Sequence, residues 1–101
     1  PPRMSGERKR HKAVIRAGQS VQIGNTSIEI VSIRQSVVAF RLYDDGRDTL
    51  GARRFGEYLQ CGKDQGVSVK FTESTGRDGI ERARIAIEAP HAVPVTIEVA
   101  L

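Results

Sequence analysis

The sequence predicts an all-β fold, a small intertwined barrel or sandwich of antiparallel strands, and three observations point to it. Apolar residues alternate with polar ones in short runs, the period of half-buried strands. Glycine-containing turns separate those runs. A chain of 101 residues supplies one modest core and leaves no room for a second. The expected division is a flexible basic arm over residues 1–12 and a single β domain over 13–101, with repeat-like halves at 13–46 and 49–101.

Taken in order, Val21 and Ile23 flank Gln22, and Gly24-Asn25 then accepts the positive φ of a tight turn. Ile28, Ile30 and Ser32 alternate with Glu29, Val31 and Ile33, so one face of that strand is apolar and the other partly so. Val38, Phe40 and Leu42 keep the period of two, with Arg41 pointing away, until Asp44-Asp45-Gly46 ends the run. In the second half, Val67, Val69 and Phe71 oppose Ser68, Lys70 and Thr72, and a polar loop runs from Glu73 to Gly79. Ala83, Ile85 and Ile87 alternate with Arg84 and Glu88 before Ala89-Pro90 breaks the ladder, because proline has no N–H to donate. Val93, Val95, Ile97, Val99 and Leu101 form the cleanest alternation, and Pro94 on the opposite face marks an edge strand or a bulge. Residues 48–62 admit two readings. Asp48 could cap a short helix whose face carries Leu50, Phe55, Tyr58 and Leu59, with Gly62 just past its end. Against this, Gly51 and Gly56 would each cost about 1 kcal/mol inside a helix.

The net charge is +4, and all of it resides at the start of the chain. Arg3, Arg8, Lys9, Arg10 and Lys12 stand against Glu7 alone, while the rest of the sequence is balanced. Pro1, Pro2, Ser5 and Gly6 dilute the segment, and no apolar period crosses it, so it reads as an arm. Such an arm either lies along a phosphate backbone, releasing counterions without reading sequence, or is a solvated terminus.

No constellation for catalysis is visible, and neither an enzyme nor a cofactor is expected. His11 and His91 lie far apart, and a zinc site needs three or four organised donors, so no metal is expected. Asp44-Asp45-Gly46 lacks the spaced acidic loop of a calcium hand, and Gly76-Arg77-Asp78-Gly79 lacks the ending of a phosphate loop and reads as a flexible hairpin loop. The single cysteine, Cys61, alternates with apolar neighbours and reads as a packed thiol in a reducing compartment. No apolar run reaches the roughly 20 residues a membrane helix needs, and no apolar stretch follows the basic start as in a secretory signal. A cytoplasmic location without membrane contact is the expectation. Of the aromatics, Phe40 and Phe71 alternate with the core. Only Tyr43 and Tyr58 remain for stacking, too few for a platform.

The halves align with each other. At an offset of 38, Arg16, Gly18, Gln19, Val21, Gln22, Ile23 and Gly24 meet Arg54, Gly56, Glu57, Leu59, Gln60, Cys61 and Gly62. After one extra residue in the second half, Ile28 and Ile30 meet Val67 and Val69. Both copies then describe a glycine-marked corner after a basic strand, a short strand, a glycine turn and a long strand.

The run Arg53-Arg54-Phe55-Gly56-Glu57-Tyr58-Leu59-Gln60-Cys61-Gly62, with Ala83-Arg84-Ile85-Ala86-Ile87-Glu88-Ala89-Pro90-His91-Ala92-Val93-Pro94-Val95 further on, resembles the carbon storage regulator (CsrA/RsmE) family. The resemblance covers residues 50–99 and, more weakly, 13–42, where the first copy lacks an Ala-Pro segment and a fifth strand. It implies a five-stranded unit that dimerises by exchanging strands and binds GGA-containing single-stranded RNA to adjust translation. One chain with most of two units could then be a monomeric pseudo-dimer, with a homodimer as the other possibility. The resemblance further implies an RNA surface on Leu50, Arg53 and Arg54 of the first strand and on Ala89, Pro90, Val93 and Val95, with Arg16 as the counterpart of Arg54. Arg8, Lys9, Arg10 and Lys12 of the arm would add nonspecific affinity. One departure matters: the family's RNA-contacting arginine in the last strand falls on Ile97, which cannot hydrogen-bond a base. The alternative is a protein-interaction module on the same scaffold, offering the strand at 93–101 to a partner.

Overall fold

Where β-branched and aromatic residues alternate with polar ones, the chain is extended. The computed structural model describes residues 8–62, 66–74 and 79–98. Nine strands run in order: β1 (Arg8–Arg16), β2 (Ser20–Ile23), β3 (Thr26–Arg34), β4 (Val37–Asp44), β5 (Arg47–Arg54), β6 (Tyr58–Cys61), β7 (Val67–Glu73), β8 (Arg82–Pro90) and β9 (Val95–Glu98). They build two antiparallel sheets, one ordered β1-β8-β7-β6 and the other β5-β4-β3-β2-β9. No helix occurs among the described residues. The region 48–62 resolves into β5, a corner and β6, and its glycines have strand uses. Gly51 faces the core, where a Cβ would lie 2.9 Å from the Phe40 ring. Gly56 turns the corner at a φ of 93°.

The sheets interleave the two halves of the sequence. β1 pairs with β8 along its whole length, from Arg8 opposite Pro90 to Arg16 opposite Arg82. β5 pairs with β4, and β9 joins the far edge beside β2. The corners between sheets are made alike. Gly18 N donates to Ile30 O and Gly56 N to Phe71 O, both at 2.8 Å. The Arg16 amide donates to Gln19 Oε1 at 2.8 Å, and the Arg54 amide to Glu57 Oε1 at 2.7 Å. These bonds correct the alignment beyond the corner. Ile30 corresponds to Phe71 and Ile28 to Val69, because the β6–β7 connection closes across residues 62–66 whereas β2–β3 closes across Gly24-Asn25 alone.

One core draws on both halves. Phe40 and Phe71 are nearly or fully buried, with ring centroids 6.1 Å apart, in a tilted pair. The isoleucines and valines of β2, β3, β7 and β8 surround them. Cys61 is buried in this core, and desolvation, helped by the Asp44 carboxylate, pushes its thiol up to about 11, where it stays protonated and unreactive. Asp44 also accepts from Thr26 Oγ1 at 2.8 Å and from Gly62 N at 3.2 Å, fastening a turn of each sheet to the end of β4. His11 Nε2 is buried without a hydrogen-bond partner among the described residues.

The expected arm is shorter than residues 1–12. Arg8, Lys9, Arg10 and Lys12 belong to β1, with Lys9, His11, Ala13 and Ile15 on its more buried side and the intervening cations outward. A long cationic side chain can rest its aliphatic stem on a surface and keep its head in water, so a basic strand is compatible with a ladder. Residues 1–7 lie outside the described residues, as do 75–78 of the expected hairpin loop and 99–101 of the last strand. That strand starts at Val95; Val93 sits in the preceding turn, its amide donating to Pro90 O at 3.0 Å.

Two outcomes test this architecture. Residues 1–45 and 46–101, produced separately, should each fail to give a folded monomer and should recover a cooperative melt by circular dichroism on mixing. A half that folds alone as a monomer would contradict the shared core. Gly51→Val should cost about 1–3 kcal/mol in urea denaturation, because the Phe40 ring must shift. Ala52→Val on the outer side should stay within about 0.5 kcal/mol.

Candidate nucleic-acid interface

Register decides which side chains share a surface. On the four-stranded sheet, Ile15, Leu59, Val69, Phe71, Ile85 and Ile87 point into the core, so their neighbours point out. Following the pairs across the strands, Arg10, Glu88, Ser68 and Gln60 form one outer row. Lys12, Ala86, Lys70 and Tyr58 form the next, and Val14, Arg84 and Thr72 the third. Arg8 and Arg16 continue the basic line at the two ends of β1.

Glu88 is the carboxylate on this surface, and two arginines engage it. Arg10 Nη2 donates to Glu88 Oε2 at 2.9 Å, and Arg8 Nε lies 3.5 Å from Oε1. The Arg10 hydrogen bond and then the nearby guanidinium charges hold its carboxyl below the usual glutamate range. Lys12, Arg16, Lys70 and Arg84 have no carboxylate partner among the described residues. Lys70 Nζ instead lies 5.2 Å from the centre of the Tyr58 ring, a cation–π contact. Between these groups, above Ala86, lies a concavity of about 330 Å³ whose lining includes Arg10, Lys12, Tyr58, Lys70 and Arg84 together with the Glu88 carboxylate.

The outer face of the five-stranded sheet is built on the same plan with different residues. Matching the corners and ladders puts Leu50 where Lys12 stands, Asp48 where Arg10 stands, Glu29 where Lys70 stands, Ala39 where Arg84 stands and Ser20 where Tyr58 stands. Its charges are mixed, and Arg41 Nε lies 3.5 Å from Asp48 Oδ1. Positive charge is therefore concentrated on one face of the molecule.

The site residues expected from sequence do not form one cluster. Leu50, Arg53 and Arg54 lie on β5, at the edge of their sheet opposite β9. Leu50 is largely exposed to solvent, and Arg53 folds back so that Nε donates to Tyr58 O at 3.2 Å. Ala89, Pro90, Val93 and Val95 lie around the turn from β8 to β9, with Ala89 and Val93 buried. Arg16 pairs with Arg82 at the other end of β1 from Pro90, about 26 Å along the ladder. Ile97 is partly buried and packs against the core. What the structure does bring together is Arg8, Arg10 and Lys12 with Lys70, Arg84 and Tyr58. Lys70 and Arg84 stand in the sequence only as polar positions in alternating runs, Tyr58 stands there as one of two aromatics too few for a platform, and nothing in one strand reveals which strand lies beside it.

No family model matches the chain, and no curated protein or solved structure matches it.

The Glu88 pairing has a sign that can be checked. A depressed carboxyl contributes to stability above the unfolded glutamate range, and that contribution disappears as pH falls through the folded value. In an NMR titration the Glu88 carboxyl should titrate below an ordinary glutamate, and Arg10→Gln should move its midpoint up.

Proposed function

We propose that the chain is a cytoplasmic binding protein, not an enzyme, that holds single-stranded RNA and regulates translation in the manner of the carbon storage regulators it resembles. The observation that carries the reading is the segregation of charge. Arg8, Arg10, Lys12, Arg16, Lys70 and Arg84 share one sheet face with Glu88, while the equivalent face of the other sheet is mixed. A polyanion is the partner that such a field attracts. The interleaving of strands from the two halves supports the same reading, since the resemblance implies units that exchange strands. The expected surface shifts, however, from the β5 edge to the outer face built by β1, β8, β7 and β6.

A protein-interaction role would use β9, an edge strand whose described ladder is with β2 alone. Absence of RNA binding would favour that role.

Fluorescence anisotropy with a GGA-containing RNA hairpin tests the proposal. With about four phosphates engaged, affinity should fall about 50-fold between roughly 50 and 200 mM salt. Lys12→Gln, Lys70→Gln and Arg84→Gln should each flatten the slope of log K against log salt by about 0.7, whereas Arg54→Gln on the β5 side should leave it unchanged. Equal slopes for all four variants would refute this face as the RNA surface.

A further inference from the structure

We infer that the basic face seats one unpaired nucleobase against the Tyr58 ring, in the concavity floored by Ala86; this rests on the RNA reading and says how the strand is gripped. Tyr58 lies on the terminal strand β6 with its side chain in solvent, at 59% exposure. An aromatic left this open adds little to the core, and the Lys70 ammonium that stands over one of its faces, 5.2 Å from its centre, has to swing aside for a base to stack there. The row across the sheet runs Tyr58, Lys70, Ala86, Lys12 on adjacent strands about 4.8 Å apart. A ring at one end, a one-carbon side chain within the row and ammonium groups on both sides of it suit a flat base and the phosphates that flank it.

Size and stoichiometry follow. The concavity of about 330 Å³ stands at the small end of ligand sites, about 300–1,000 Å³, which suits a single nucleotide. In a duplex the base faces are occupied by stacking on their neighbours, so only an unpaired base presents its π-face to the tyrosine. Ser68 Oγ donates to Gln60 Oε1 at 3.1 Å beside the ring, which orients the Gln60 amide and leaves its N–H groups for acceptors on the base. The other half carries Ser20 and Glu29 in place of Tyr58 and Lys70, so each chain has one such subsite despite its duplicated plan.

The test uses a short fluorescein-labelled single-stranded RNA containing GGA and the same RNA annealed to its complement. Tyr58→Ala should weaken the single strand about 5- to 150-fold, while Tyr58→Phe stays within about twofold of the parent. The salt slope should be the same in all three proteins, because no cation is removed. Duplex affinity should be unchanged by Tyr58→Ala. Since the side chain is exposed, an unchanged melting curve will separate a lost contact from a lost fold. If the parent binds single-stranded RNA and Tyr58→Ala binds it equally well, the stacking subsite is wrong while the RNA reading stands. Failure of the parent to bind either RNA would overturn both, and two equivalent RNA sites per chain would overturn the single subsite.

Discussion

The antiparallel ladder between β1 and β8 ties the beginning of the chain to its end, and the remaining architecture hangs on it. Without β1, strand β8 would present an open edge with its buried row of Ala83, Ile85, Ile87 and Ala89 shielded on one side only. Such pairing of distant segments is entropically slow to form, since a long loop must close before any contact rewards it. Once formed, it makes the halves mutually dependent. It also delivers Arg10 and Lys12 to a surface whose other cations, Lys70 and Arg84, arise from β7 and β8. The charged face is a product of the strand exchange, because no single hairpin contains it.

The duplication is incomplete in a physically consistent way. After β8 the chain turns at residues 91–94 and adds β9 beside β2, whereas after β4 it turns back at once through Asp45 and Gly46, both at positive φ, into β5. Strand β6 is consequently left as an edge. Two features blunt it: β6 is four residues long, and the Arg53 guanidinium donates to its Tyr58 carbonyl. At the aligned place in β1 stands Ile15, buried in the core. The corner leading into the uncovered strand β6 thus carries a long polar donor, where the corner leading into β2, which β9 covers, carries an aliphatic side chain.

Much of this fold was legible in the sequence, and the limits have physical causes. Alternation located β2, β3, β4, β7 and β8 and identified Phe40 and Phe71 as core, since a buried face must recur every second residue. Alternation of one cation with another carries no such mark, so Arg8 to Lys12 read as an arm in the sequence although they belong to β1. Gly51 and Gly56 argued against a helix at 48–62, but their real roles, contact with Phe40 and a positive-φ corner, depend on tertiary neighbours. The candidate site was least legible. Lys70 and Arg84 are unremarkable in their own strands, Tyr58 is one of two aromatics too few for a platform, and the three become a surface only through pairing register, which the sequence states nowhere.

The pseudo-symmetry of the molecule separates what folding requires from what it does not. Both outer faces rest on equivalent ladders, so a residue needed to form the ladder should have a similar partner on the other face. The corners meet that expectation, with Gly18 matching Gly56 and Gln19 matching Glu57 in the same hydrogen bonds. Of the cations on the basic face Arg16 does so too, matching Arg54, but Lys12, Lys70 and Arg84 fall where Leu50, Glu29 and Ala39 stand, and the five-stranded sheet forms with those residues in place. Like charges gathered at about a Debye length, roughly 8 Å, repel one another and weaken the sheet that holds them. A set of cations that the backbone plan does not need, and that its electrostatics oppose, is what the proposed polyanionic partner would account for.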